Sequence, residues 1–215
     1  MLTEAPSALL WTASGCHHCE ATQRLLTQLL AEGTLASLEC LDVRQHVQQA
    51  ESLAIHSVPT VTIGPFLFQG SHPLSEWRRW AMLTQQDKGV AVYFDHLFTI
   101  GQRHRVEWMI RRYPDWIMAF IDLLADPQVG INSRLGIGAV LEELQGTSLT
   151  AALVAPLGQL AQQHDQARIR GDACYYLALL GWPDKAAPYW QQCLNDPDAT
   201  VVEIAREYLD ELAES

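Results

Sequence analysis

The stretch Ser14-Gly15-Cys16-His17-His18-Cys19 decides the fold expected for the first part of this chain. Two cysteines separated by two residues can close a small disulfide only where the backbone turns sharply, as it does at the start of a helix. The residues from Glu20 to Leu30 have the apolar spacing of such a helix. A cysteine at a helix N-terminus faces unpaired N–H groups and the positive end of the helix dipole, which favour the thiolate. The pattern therefore predicts Cys16 as the nucleophile and Cys19 as the resolving thiol.

Two histidines lie between these cysteines, and they allow more than one interpretation. His18, when protonated, adds positive charge near Cys16, so we place it in the catalytic group. The four residues are also potential zinc ligands, but structural zinc usually takes two separated ligand pairs. No second Cys/His pair with that spacing occurs in the sequence, so we expect no metal. Two ordinary buried cysteines are the other alternative, although a CxxC beside a βαβ pattern first indicates a redox motif.

Length and charge restrict the class of protein. The chain has 215 residues, of which 48% are hydrophobic and 18% charged, and its net charge is −11 at pH 7. This length suits one large or two small domains, and the acidity argues against nucleic acid and anionic membranes as partners. No signal-peptide pattern and no apolar run of about 20 residues is present. We therefore expect a cytoplasmic protein, with Cys40, Cys174 and Cys193 as small core residues.

Short apolar runs alternate with helical stripes around the CxxC motif. The predicted elements are, in order, strand 8–12, helix 20–30, strand 38–43, helix 46–56, strand 57–64, strand 66–68 and helix 74–83. This β-α-β-α-β-β-α order predicts a small α/β domain. Pro59 lacks a ladder donor and therefore belongs at a strand end, where a cis bond is consistent with a tight approach.

Residues 1–86 resemble the thioredoxin superfamily, in the compact form of glutaredoxins. The resemblance rests on the CxxC after the first strand, Val58-Pro59-Thr60 before the third, and Gly70 before the last helix. It implies that Pro59 is cis and lies against the active-site disulfide, and that Val58 offers backbone groups to an extended substrate. On this resemblance we expect the substrate site to be formed by His17, Val58, Pro59 and Thr60.

The resemblance also bears on redox character. A histidine directly before the second cysteine is similar to the disulfide isomerases and the bacterial periplasmic oxidases, in which a stabilised thiolate makes the disulfide a stronger oxidant. Leu10 stands where thioredoxin has a buried carboxylate that assists proton transfer, and glutaredoxins also lack that group. We expect no cofactor beyond the redox-active disulfide of Cys16 and Cys19. Dependence on glutathione stays open.

Residues 87–215 show helical patterns and no strand pattern. Asp126, Asp165 and Asp196 each precede a stripe of small and apolar residues, and the spacing of roughly 30 to 40 residues is typical of stacked helix pairs. These three residues are predicted to cap the helices that follow them. Residues 114–215 resemble HEAT-like repeats, with an irregular helical bundle as the alternative. A stack of repeats offers an extended surface for a protein partner.

Two functions follow from these patterns. The first is a thiol-disulfide oxidoreductase that acts on protein thiols or disulfides, with the helical domain recruiting a protein partner. The second is a non-enzymatic protein-binding scaffold whose Cys-His-His-Cys pair is a redox-sensitive latch. The patterns leave the direction of electron flow open.

Overall fold

A computed structural model describes residues 4–214. The chain forms two compact units that meet in sequence at Gly89 and Val90, and each is described by itself. The predicted division into domains 1–86 and 87–215 implies that each piece folds independently, and this stays a prediction.

The first unit has the predicted order of elements. It consists of β1 (Ser7–Thr12), α1 (His17–Ala31), β2 (Ser37–Asp42), α2 (Val47–Ser52), β3 (Thr60–Ile63), β4 (Phe66–Gln69) and α3 (Leu74–Leu83). The four strands form one sheet in the order β2-β1-β3-β4. Strand β1 pairs in parallel with β2 and antiparallel with β3, and β3 pairs antiparallel with β4. The predicted α/β fold of this region is confirmed.

Helix α2 is shorter than the predicted helix 46–56. It ends at Ser52, and Ala54 then adopts a positive φ of 51°. The N–H of Ile55 donates to the Ala50 carbonyl at 2.9 Å, which closes the turn after the helix. The turn delivers Ile55 to a buried cluster with Trp11. Burial of an apolar side chain therefore ends the helix, a long-range effect that helical spacing does not report.

Helix α3 packs aromatic side chains against the edge strand β4. The Trp77 and Trp80 rings, one turn apart, lie 5.7 Å and 4.9 Å from the Phe68 ring of β4. All three side chains are buried. Aromatic pairs of this kind contribute about 0.5–1.5 kcal/mol each beyond their buried area. The contacts fix α3 on β4 and thereby fix the connection between them.

The second unit is helical throughout its described part. Its elements are α4 (Gly89–Thr99), α5 (Arg103–Arg112), a 3₁₀ turn (Pro114–Met118), α6 (Ala119–Ala125), α7 (Ile131–Glu143), α8 (Ser148–Ala151), α9 (Val154–Gln163), α10 (Ala167–Leu179), α11 (Pro183–Cys193) and α12 (Ala199–Ala213). The predicted helical region is confirmed. The sequence patterns missed α8, α9 and α11.

The later helices of this unit pack in pairs. Helix α6 contacts α7, α9 contacts α10, and α11 contacts α12. Neighbouring pairs also touch, since α10 contacts both α7 and α12, and α9 contacts both α6 and α11. The HEAT-like character of these pairs stays a prediction.

The predicted helix caps are wrong. The residues that precede α7 and α10 are Gly130 and Gln166, and α12 is capped by Asp198, whose side chain accepts from the N–H of Thr200. The carboxylates of Asp126 and Asp196 instead accept N–H groups two residues further on, at 2.8 Å and 2.9 Å. This local bond competes with capping because the same oxygen closes the turn before the helix.

Within residues 4–214, none of the helices combines the length and the apolar character needed to cross a membrane.

Candidate active site

The CxxC segment forms the start of α1. Gly15 has a φ of 77°, which suits a residue without a Cβ, and it turns the chain from β1 into the helix. Cys16 is the N-cap of α1, and its Sγ accepts a hydrogen bond from the N–H of Cys19 at 3.1 Å. A helix N-terminus leaves such N–H groups without helical partners. In the disulfide form, the N–H of Cys19 donates to the Cys16 sulfur. In the reduced form, the same sulfur would carry the negative charge of a thiolate, so this N–H would stabilise it.

Cys16 and Cys19 form a disulfide whose two sulfur atoms differ in access to solvent. Cys16 is partly exposed, whereas Cys19 is only 3% exposed. His17 and His18 are exposed in the first turn of α1, and the His17 side chain is 94% exposed, with Nδ1 3.9 Å from Glu20. A partner sulfur can therefore approach Cys16 more readily than Cys19.

The loop before β3 carries the predicted substrate residues. The peptide bond between Val58 and Pro59 is cis. Pro59 and Thr60 are buried, and the Thr60 hydroxyl donates to the Ser57 carbonyl at 2.7 Å, so Thr60 shapes the loop from inside. Val58 is partly buried and packs against the cluster around Trp11. Its backbone N–H and C=O make no hydrogen bond to the described part of the chain, which leaves both groups for an extended segment.

Sheet register brings this loop to the same end of the sheet as the disulfide. Trp11, near the end of β1, pairs with Thr60 at the start of β3, and Thr60 also pairs with Gln69 at the end of β4. The N–H of Gly70, at a φ of 87°, donates to the Pro59 carbonyl at 2.8 Å. The CxxC turn, the Pro59 loop and the β4–α3 connection are thus three neighbouring connections.

Five histidines lie in or beside the connections at this end of the sheet. Besides His17 and His18, they are His46 after β2, His56 before β3 and His72 after β4. Only the first two were assigned to the site from the sequence. The others are far apart in the chain, and the strand directions bring them to one end because β2 and β4 run parallel to β1 while β3 runs against it. A correct strand order would have been enough to find them.

The position on β1 that carries a carboxylate in thioredoxin is apolar in this chain. Leu10 on β1, at the position where thioredoxin has a carboxylate, is fully buried between Cys40 of β2 and Val61 of β3. Within residues 4–214, no group of three or more His, Cys, Asp or Glu side chains is arranged to hold a metal ion.

The three other cysteines are reduced. Cys174 and Cys193 are buried in the second unit, as predicted. The prediction for Cys40 is wrong, because this residue is exposed on β2, the edge strand of the sheet that residues 4–214 form. Partial burial of the sulfur and the nearby Glu39 charge raise the pKa of the Cys40 thiol, which keeps it protonated and weakly nucleophilic.

One comparison with known families places the first unit. A family model described as a thioredoxin domain matches residues 10–79, the region that contains the CxxC and the Pro59 loop. No curated protein sequence matches the chain. The first unit is therefore a thioredoxin-like domain with a cysteine pair at disulfide distance, a combination that supports a redox role.

Proposed function

We propose that this protein is a thiol-disulfide oxidoreductase that acts on protein thiols or disulfides through Cys16 and Cys19. The observation that carries the proposal is the asymmetry of the disulfide within a thioredoxin-like domain. Cys16 is accessible and its sulfur accepts a backbone N–H, whereas Cys19 is buried behind it. An exposed sulfur that is favoured as thiolate and a shielded second sulfur are what a two-step exchange requires.

The reaction proceeds by two thiolate attacks. In the reduced protein, the Cys16 thiolate attacks one sulfur of a substrate disulfide, which forms a mixed disulfide and releases the other substrate sulfur as thiolate. Cys19 then loses its proton to solvent and attacks the Cys16 sulfur, which closes the protein disulfide and releases the second substrate thiolate. One dithiol and one disulfide are exchanged for one disulfide and two thiols. The reverse sequence oxidises a substrate, and the relative reduction potentials decide the direction.

Turnover distinguishes this function from a redox-sensitive latch. The test supplies a peptide disulfide and an excess of a small dithiol to the full-length protein. An oxidoreductase reduces many equivalents of peptide, and Cys16→Ser abolishes the reaction. A single equivalent consumed per protein molecule would contradict the enzyme and support a protein-binding scaffold.

Equilibration with glutathione buffers of known ratio gives the reduction potential of the Cys16–Cys19 pair. The dependence of turnover on glutathione concentration tests glutathione as the electron donor.

The helical unit is proposed to recruit the protein substrate. Support comes from α7, which exposes Ile131 and Leu135, one turn apart, at 66% and 67%. Exposed apolar side chains at such spacing can contact a partner. Cys19→Ser should trap substrates on Cys16 as mixed disulfides, because the resolving thiol is missing. Adding Ile131→Ser and Leu135→Ser should reduce the trapped substrates, whereas the control Leu194→Ser should not. An unchanged set would contradict recruitment through this surface.

A further inference from the structure

The connection between β4 and α3, residues 70–73, borders the Pro59 loop. Gly70 donates its N–H to the Pro59 carbonyl at 2.8 Å, and the preceding Gln69 pairs with Thr60 in the ladder. The position of the Pro59 carbonyl therefore depends on where this connection holds Gly70. Burial does not hold this connection in place, because Ser71 and Pro73 are exposed.

The His72 ring connects the two elements that flank this segment. Its Nδ1 lies 3.0 Å from a carboxylate oxygen of Glu76 on α3, and its Nε2 lies 3.1 Å from the carbonyl oxygen of Gln69 at the end of β4. A carbonyl oxygen and an ionised carboxylate oxygen can only accept hydrogen bonds. A ring with protons on both nitrogens donates both bonds, whereas a neutral ring donates one and turns a lone pair towards the other oxygen.

Packing holds the ring in this orientation. The Phe68 ring of β4 and the Trp77 ring of α3 contact His72 edge to face, at centroid distances of 6.2 Å and 4.8 Å. Glu76 supplies the charge that faces the ring from α3, and the β4 contacts with Phe68 and Gln69 are uncharged. Glu76 is itself fixed, since Trp80 donates its indole N–H to the carboxylate at 3.4 Å. The ring thus has two directed contacts and two packing contacts.

We propose that His72 is a positioning residue for the substrate loop. Its ring, held between Gln69 and Glu76, ties the end of β4 to α3 and so holds Gly70 against the carbonyl of Pro59. The inference rests on the proposed function, because the loop affects catalysis only if a substrate segment pairs with Val58. Its structural part concerns the hydrogen bond between Gly70 and Pro59 and is measurable without turnover.

Two variants of the full-length protein separate the donors from the ring. His72→Phe keeps an aromatic ring between Phe68 and Trp77 and removes both ring nitrogens. His72→Gln removes the ring and retains an amide donor group. The matched control is His56→Gln, since His56 is exposed at the same end of the sheet. Thermal unfolding verifies that each variant folds, and His72→Gln carries the test if His72→Phe does not.

The first readout is NMR hydrogen exchange of the Gly70 amide. Loss of a charge-assisted hydrogen bond predicts exchange faster by about tenfold or more in His72→Phe, with His72→Gln in between and His56→Gln unchanged. Equal exchange in the wild type and His72→Phe would overturn the proposal.

The second readout is turnover of a peptide disulfide. His72→Phe should raise KM about threefold or more and change kcat less, because binding of the substrate segment depends on the loop. His72→Gln should restore part of the loss. Faster Gly70 exchange with unchanged KM and kcat would overturn the positioning role. A wild type without turnover would refute the proposed function, and the link to catalysis with it, while Gly70 exchange still decides whether His72 holds the loop.

Discussion

The two units hold their cysteine pairs in opposite ways. Cys16 and Cys19 are three residues apart at the surface end of a sheet and form a disulfide, whereas Cys174 and Cys193 lie on two packed helices and are reduced and buried. Cys16 has a backbone donor at its sulfur. The Cys193 sulfur donates towards the Ala161 carbonyl at 3.7 Å. The access of solvent to a thiol and the hydrogen-bond donors at its sulfur, rather than the presence of a second cysteine nearby, decide its chemistry.

The hydrogen bond between the two buried thiols shifts their pKa values in opposite directions, and it lowers the pKa of the Cys193 thiol. The hydrogen bond with the Cys193 thiol, followed by burial, raises the pKa of the Cys174 thiol far above its usual value. A protonated thiol without solvent access is a poor nucleophile. Because both sulfur atoms are buried, we assign Cys174 and Cys193 to the packing of α10 against α11.

The largest expected difference is in turnover, when a cysteine of one pair or of the other is replaced by serine. Cys16→Ser should reduce turnover of a peptide disulfide to background, because it removes the attacking sulfur. Cys174→Ser and Cys193→Ser should leave turnover per folded molecule unchanged, since neither sulfur reaches a substrate. The measurement is steady-state turnover of each full-length variant after a check of folding. Loss of activity in folded Cys174→Ser would mean that the buried pair takes part in the chemistry.

The next largest effect concerns the ion pair beside the buried cysteines. The Arg170 guanidinium bonds both Asp196 oxygens, at 2.7 Å and 2.8 Å, and also donates to the His164 and Asp165 carbonyls. Asp196→Ala should lower the free energy of unfolding by about 3–5 kcal/mol, because it leaves a buried guanidinium without its carboxylate. Urea unfolding followed by circular dichroism measures the change. Asp165→Ala, at an exposed carboxylate, is the control, and equal losses in the two variants would contradict the assignment.

This ion pair also predicts a pH dependence of stability. The Arg170 hydrogen bond holds the pKa of the Asp196 carboxyl below its usual value. The resulting stabilisation is fully present above the unfolded pKa of about 3.9 and is lost as pH falls through the lowered folded value. Asp196→Asn should therefore remove a part of the acid destabilisation below about pH 4. An identical slope of unfolding free energy against pH in both proteins would contradict this.

The two cysteine pairs should also differ in their rates of alkylation, by a smaller factor than in turnover. In the reduced protein, iodoacetamide should modify Cys16 faster than Cys174 by about a hundredfold or more, since a buried thiol reacts only after a local opening of roughly 3 kcal/mol. Mass spectrometry of peptides over time gives both rates. Cys40 is an internal reference because it is exposed but has a raised pKa. Comparable rates for Cys16 and Cys40 would show that the helix N-terminus does not activate Cys16.

The smallest effect should come from His18. His18→Pro removes an imidazole that adds positive charge to the first turn of α1 when it is protonated, and a charge at a helix end is worth about 0.3–1 kcal/mol. The thiolate fraction of Cys16, and with it the alkylation rate at neutral pH, should therefore fall by a factor of about two to five. His17→Asn is the control for loss of an exposed imidazole. If both substitutions have the same effect, the role assigned to His18 is wrong.

Local patterns accounted for the order of elements in the first unit. The CxxC, the apolar run before it and the stripe after it lie within one stretch of chain, so neighbouring residues determine the strand, the turn and α1. The predicted helix over residues 74–83 has the bounds of α3, because Trp77 and Trp80 mark its buried face directly. Helices α9 and α11 were missed, since the predicted repeats followed the Asp residues and only the helix after each of them.

Contacts between residues that are far apart in the chain could not be predicted from these local patterns. The sequence by itself determined the cysteine pair and the α/β character around it, because a two-residue gap and a helical period are properties of adjacent residues. Only the tertiary structure set Gly70 against Pro59 and paired Arg170 with Asp196. These contacts depend on which strands are neighbours and which helix faces meet, and burial and packing across the whole fold decide that.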